Sequence, residues 1–100
     1  MLHADPLEVW VEQSIQQSQS KGYHPSEFIR MRERHGTVKA MGRLMQAGQI
    51  QSGLVRLKEL GMAEDWSVEA GILKFPDRFT KKERDAARFR LDNIDDEGLR

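Results

Sequence analysis

Apolar residues recur along this chain at intervals of three and four, and glycines and prolines cut that rhythm into short lengths. Leu7, Trp10, Val11 and Ile15 form the first stripe, at helical spacing. Asp5-Pro6 precedes it: an Asp able to accept from the unpaired N–H groups of a helix start, then a Pro whose missing N–H costs nothing at the first helical position. The pattern predicts a helix to about Ser20, stopping near Gly22. Its second half, QSIQQSQS, is polar almost all round and reads as a solvated, fraying end, since serine hydroxyls compete for backbone groups. Pro25 opens a second helix, SEFIRMRERH, with Phe28, Ile29 and Met31 inward and Gly36 at its end. Thr37 reads as the cap of a third, VKAMGRLMQA, which turns Val38, Met41, Leu44 and Met45 inward and closes at Gly48. The fourth, from Gln49, turns Ile50, Leu54, Leu57 and Leu60 inward, and Gly61 follows as its stop.

Beyond Met62 two readings stand. Ser67 can cap a helix, VEAGILKF, ended by Pro76; the alternation of Val68, Ala70 and Ile72 also fits a strand. The helix is favoured. Thr80-x-x-Glu83 is a capping box, in which each side chain reaches the other's backbone N–H, and it starts a last helix running to about Asn93 with Ala87, Leu91 and Ile94 inward. DDEGLR, residues 95–100, reads as a flexible tail. The expected fold is all-α: a compact orthogonal bundle of five to six short helices, one domain over residues 1–94.

Composition changes this picture little. One hundred residues suffice for one domain with its own core. The absence of cysteine excludes a disulfide scaffold, thiol catalysis and cysteine zinc sites. No apolar leader is visible near the start and no run approaches the ~18 apolar residues of a membrane span, so a cytoplasmic location without membrane contact is expected.

Charge is more informative. The net charge is zero, which argues against general attraction to nucleic acid, yet the charges come in alternating acidic and basic blocks. Residues 28–58 are the most basic, with Arg30, Arg32, Arg34, Lys39, Arg43, Arg56 and Lys58 against Glu33 alone. Such blocks can neutralise one another inside a bundle or present a basic face to an acidic partner.

The same block holds the best candidate for a reading head. Residues 37–58 follow a helix, glycine turn, helix plan, and recognition helices of that kind offer their first residues to base edges. Gln49, Gln51, Ser52 and Arg56 suit base or phosphate contacts, and Lys39, Arg43 and Lys58 suit phosphates. Against it, Gly53 lies inside the supposed recognition helix, at a cost of roughly 1 kcal/mol. The acidic MAEDWSVE follows where a winged helix would place a β-hairpin. An ordinary core helix is the favoured reading.

Catalytic signatures are missing. His3, His24 and His35 are scattered, so no metal is expected; His35 beside Gly36 suits a cation at a helix C-terminus. Pro76-Asp77 could open a PD-(D/E)xK nuclease motif, but no Asp or Glu in the chain has Lys two positions later. No phosphate loop, dinucleotide fingerprint or activated nucleophile appears, so neither an enzyme nor a cofactor is expected.

Several short motifs occur in succession: Tyr23-x-Pro25-x-x-Phe28-x-x-Met31, Gly36-Thr37-Val38-x-Ala40 with Arg43-Leu44, and Gly53-x-x-x-Leu57-x-x-Leu60-Gly61. Ser67-Val68-Glu69, Phe79-Thr80-x-x-Glu83 and Ala87-x-x-Arg90-Leu91 follow. In this order they resemble an uncharacterised family of small bacterial helical domains, found alone and as appendages to larger proteins. The resemblance implies one helical unit with an accessory role. It makes Tyr23, Phe28 and Met31 packing residues and Glu69 a helix-start carboxylate without partner chemistry.

The expected function is therefore a non-catalytic interaction module of a bacterial cytoplasmic protein. It would bind another protein, or a second copy of itself, through Arg30, Arg34, Lys39, Arg43, Gln51, Ser52, Arg56 and Lys58. A helix-turn-helix DNA-binding protein reading through residues 49–58 is the alternative.

Overall fold

The computed structural model describes residues 4–46 and 52–97, and among them every regular element is helical. In order these are α1 (Pro6–Ser20), α2 (Ser26–His35), α3 (Thr37–Gln46), α4 (Ser52–Glu59), α5 (Ala63–Trp66), α6 (Val68–Lys74), a 3-10 turn (Pro76–Arg78) and α7 (Lys81–Glu97). The single-turn α5 is the helix that the apolar pattern did not separate. The radius of gyration, 12.9 Å, is that of a close-packed domain of this length.

The local signals act as their chemistry requires. The Asp5 carboxylate accepts from the Leu7 N–H, and Pro6 begins α1. The Ser67 hydroxyl accepts from the Ala70 N–H and starts α6, which settles residues 68–74 as helix. Thr80 and Glu83 exchange both bonds of the capping box, at 2.9 and 3.1 Å. α4 closes on a left-handed Gly61, with the Met62 N–H donating to the Leu57 carbonyl and the Gly61 N–H to that of Lys58. Gly22 ends α1 with the same pair of bonds, from Tyr23 to Ser18 and from Gly22 to Gln19.

Two apolar clusters form the core. Leu7, Trp10, Val11, Phe28, Met41, Ile72 and Ala87 lie in the larger; Leu54, Leu57, Met62, Leu91 and Ile94 lie in the smaller. Trp66 and Leu73 pack against both and join them. Trp10 stacks on Trp66 with ring centroids 5.7 Å apart and meets Phe75 edge-on at 6.3 Å. Each large side chain so buried contributes about 1.5–3 kcal/mol from removal of apolar area from water.

Four expectations need correction. The polar half of α1 is not a solvated end: Ser14 and Ser18 are buried, with hydroxyls donating to the carbonyls of Val11 and Ser14. Bonding back to their own helix satisfies the hydroxyls, so small polar side chains can occupy the inner stripe. Thr37 does not cap α3 through its side chain; its hydroxyl donates to the Glu8 carboxylate at 2.6 Å. α7 continues through Asp95, Asp96 and Glu97, the first half of the supposed tail. Glu69, finally, is a buried and paired residue, as described below. Ile50 and the stop at Gly48 lie outside the described residues, as do residues 98–100.

Candidate functional site

α2 and α3 are joined by Gly36 alone and pack closely on one another. That tight corner brings the basic end of α2 beside Lys39 and Arg43 of α3. His35, partly buried, feels Arg34 on its own helix and Lys39 and Arg43 across the corner. Its desolvation first, and then the fields of Arg43, Arg34 and Lys39, hold the imidazole below its ordinary value near 6.5. The neutral ring is thus favoured where the sequence suggested a cation. Arg34, Lys39 and Arg43 are exposed, and among the described residues no carboxylate lies within ion-pair distance of them. The Glu83 carboxylate lines the same surface hollow as Lys39 and Arg43, lies along Gly42 and accepts from the Thr80 N–H. Arg30 is exposed one turn earlier on α2.

Arg32 does not join that face. Its guanidinium turns back on α1 and reaches Glu8 and Glu12, both at 2.6 Å, while its Nε donates to the Thr37 hydroxyl. Here the acidic first block and the basic second block do neutralise each other. The Arg32 guanidinium, then the Thr37 hydroxyl, pull the Glu8 carboxyl below its ordinary range. Asp5 and Arg78 make a second such link, at 2.9 Å.

The α4 cations stand apart from this arrangement. α3 packs on α2, α6 and α7, whereas α4 packs on α5 and α7. Leu54 and Leu57 are buried, so α4 is a core helix with a narrow outer face. On that face Arg56 is exposed, with Glu59 at 3.9 Å, and Lys58 is half-buried. Gln51 and the side chain of Ser52 lie outside the described residues.

The sequence reading missed a polar site in the interior. Glu69, in the first turn of α6, and Arg90, on α7, are each only 4% exposed and stand 3.5 Å apart. Arg90 also donates to the carbonyls of Leu44, at 2.7 Å, and Met45, at 3.4 Å. It therefore caps the last described turn of α3, where the helix dipole favours a cation. Burial pushes the Glu69 carboxyl up, and its own backbone N–H and Arg90 offset that only in part.

Beside this pair lies a cavity of about 110 Å³. α1 lines it with Ser14, Ile15 and Ser18, α2 with Phe28, α4 with Leu54 and Leu57, and Glu69 forms part of its wall. Tyr23 also lines it, its hydroxyl against Gly53, where a Cβ would stand 2.5 Å away. Tyr23 and Phe28 are thus packing residues, as the resemblance implies, but Tyr23 packs at a cavity.

Among the described residues no group of His, Asp and Glu is arranged to hold a metal ion. None of the described helices is long and apolar enough to cross a membrane. Compared with protein families, with curated proteins and with solved structures, the chain matches none.

Proposed function

We propose that this chain is a non-catalytic interaction module, an accessory domain of a bacterial cytoplasmic protein, and that it docks an acidic protein surface on the α2–α3 corner. The observation that carries this reading is the corner itself. Arg34, Lys39 and Arg43 surround one partly buried histidine, and among the described residues no carboxylate lies within ion-pair distance of them, while the neighbouring Arg32 is committed to Glu8 and Glu12. Like charges gathered on one helix hairpin disfavour the free state, and an acidic partner relieves this. Charge of this kind chiefly steers association and selects partners. Three clustered cations on a chain of zero net charge suit an acidic protein patch better than a duplex, whose binding rests on many phosphate contacts.

The alternative, duplex reading through residues 49–58, has Arg56 as its exposed described cation, and Glu59 beside it opposes phosphate. Fluorescence anisotropy with a labelled glutamate-rich peptide and a labelled mixed-sequence duplex, at low and physiological salt, separates the two. The expected result is salt-sensitive binding of the peptide, weakened at least tenfold in the triple variant R34E/K39E/R43E and unchanged in R56A. Tighter binding to the duplex, lost in R56A, would establish the alternative. Binding of neither probe at low salt would refute both.

A further inference from the structure

We propose that the cavity between α1, α2, α4 and α6 is a binding site for a single heteroaromatic ring carrying N–H donors, an aminopyridine-like amine. The site is independent of the basic corner. Its size sets the first limit. About 110 Å³ exceeds what one or two waters need and approaches the ~150 Å³ cavity that holds benzene, so its size suits at most one ring, and the exposed Glu27 is among its lining residues. Its walls set the second: Ile15, Phe28, Leu54, Leu57 and Trp66 ask for an apolar, flat body.

The polar inventory sets the chemistry. The hydroxyl protons of Ser14 and Ser18 are already committed to the carbonyls of Val11 and Ser14, which leaves those oxygens as acceptors. Glu27 and Glu69, when ionised, can only accept. The Glu69 carboxylate, with lone-pair sites for about four donors, has as partners Arg90 at 3.5 Å and its own backbone N–H. Tyr23 is the single hydroxyl lining the cavity whose proton is uncommitted among the described residues. With Glu69 ionised, a cavity so rich in acceptors and so poor in donors rejects carboxylates and phosphates and favours a ligand that brings its own N–H groups to Glu69.

The test uses the intact chain and 2-aminopyridine, with 2-methylpyridine as its near-isostere lacking the amino donor. Binding is read from tryptophan fluorescence, since Trp66 lines the cavity, and from the shift in melting temperature. The expected result is saturable binding of 2-aminopyridine at least tenfold tighter than that of 2-methylpyridine, with the preference abolished in E69Q. Two-dimensional NMR of the wild-type chain is expected to place the shifts on Tyr23, Leu57 and Trp66. This wild-type comparison decides the matter even should E69Q fold poorly. Absence of saturation, equal affinity for the two rings, shifts on another face, or a preference that survives in folded E69Q would each overturn the proposal.

Discussion

Arg90 is placed to do two things at once, and its removal shows which matters more. Its Nη1 donates to the Leu44 carbonyl at 2.7 Å but stands 3.5 Å from the Glu69 carboxylate. By distance, capping α3 is the stronger interaction and the ion pair the weaker. Arg90→Met deletes both, leaving a buried carboxylate without its cation and helix-end carbonyls without this donor. Removing one member of a buried pair costs about 3–5 kcal/mol, out of roughly 5–10 kcal/mol for a domain of this size. Glu69→Gln keeps an acceptor beside Arg90, keeps the cap, and replaces a buried charge by a neutral amide. Its cost should be about 1 kcal/mol or less. Urea unfolding followed by the fluorescence of stacked Trp10 and Trp66 measures both. With m at about 1.5 kcal/mol/M, the Arg90→Met midpoint should fall by about 2–3 M and the Glu69→Gln midpoint by about 0.7 M or less. Equal losses would mean that the ion pair, not the cap, is the main role. A loss under about 1 kcal/mol in Arg90→Met would refute the burial argument itself.

Further expectations follow from the same packing. Because burial raises Glu69 in the folded state, the native chain binds more protons than the unfolded one above the ordinary value of 4.5. Stability should therefore fall as pH rises from about 4.5 through the raised value, and Glu69→Gln should flatten that slope in pH-resolved unfolding. Glu8 behaves oppositely: its lowered carboxyl contributes stability above 4.5 that is lost as pH falls through its folded-state value. Glu8→Gln should cost about 0.5–1 kcal/mol near neutral pH, as for a partly exposed pair, and reduce the acid-side slope. Gly71→Ala gains about 1 kcal/mol in helix propensity, but its Cβ would stand 2.5 Å from Trp10 Cζ3 and 2.9 Å from Met41 Cε. Trp10 is held against Trp66 and Phe75 and cannot yield, so overpacking should prevail and the melting temperature fall by several degrees; a rise would contradict this packing.

Helix boundaries were legible because their causes are local. Asp5-Pro6, Gly22, Gly61, Ser67 and the Thr80–Glu83 box each act within a turn of their own position. The apolar inner stripes were legible for the same reason: Leu7, Trp10, Val11 and Ile15 on α1, and Ala87, Leu91 and Ile94 on α7, are all buried. What escaped were polar residues on those stripes, whose partners lie on other helices or on their own backbone. Ser14 and Ser18 continue the α1 stripe at spacings of three and four, Arg32 lies one turn after Phe28, and Arg90 sits between Ala87 and Ile94. In each case the periodicity marked an inward position and the residue type was read as solvent-facing. A charged residue on a core stripe signals a buried partner, and that signal locates Arg32 and Arg90 before any tertiary contact is known. It does not identify Glu8 or Glu69 as the partners, since these are brought close only by helix packing. The basic block was visible in sequence, but its division into paired Arg32, the clustered corner and a separate α4 depends on how the helices pack.

The most direct test of the α2–α3 corner as the binding surface is the titration of His35 by NMR, alone and with a saturating glutamate-rich peptide. In the free chain its pKa should lie below 6.5, held down by desolvation and by Arg43, Arg34 and Lys39. An acidic partner seated there cancels that field, so the His35 value should rise on binding, the complex should take up a proton, and affinity should increase as pH falls through the histidine range. Peptide binding that leaves the His35 titration unchanged would place the interaction elsewhere and contradict the account.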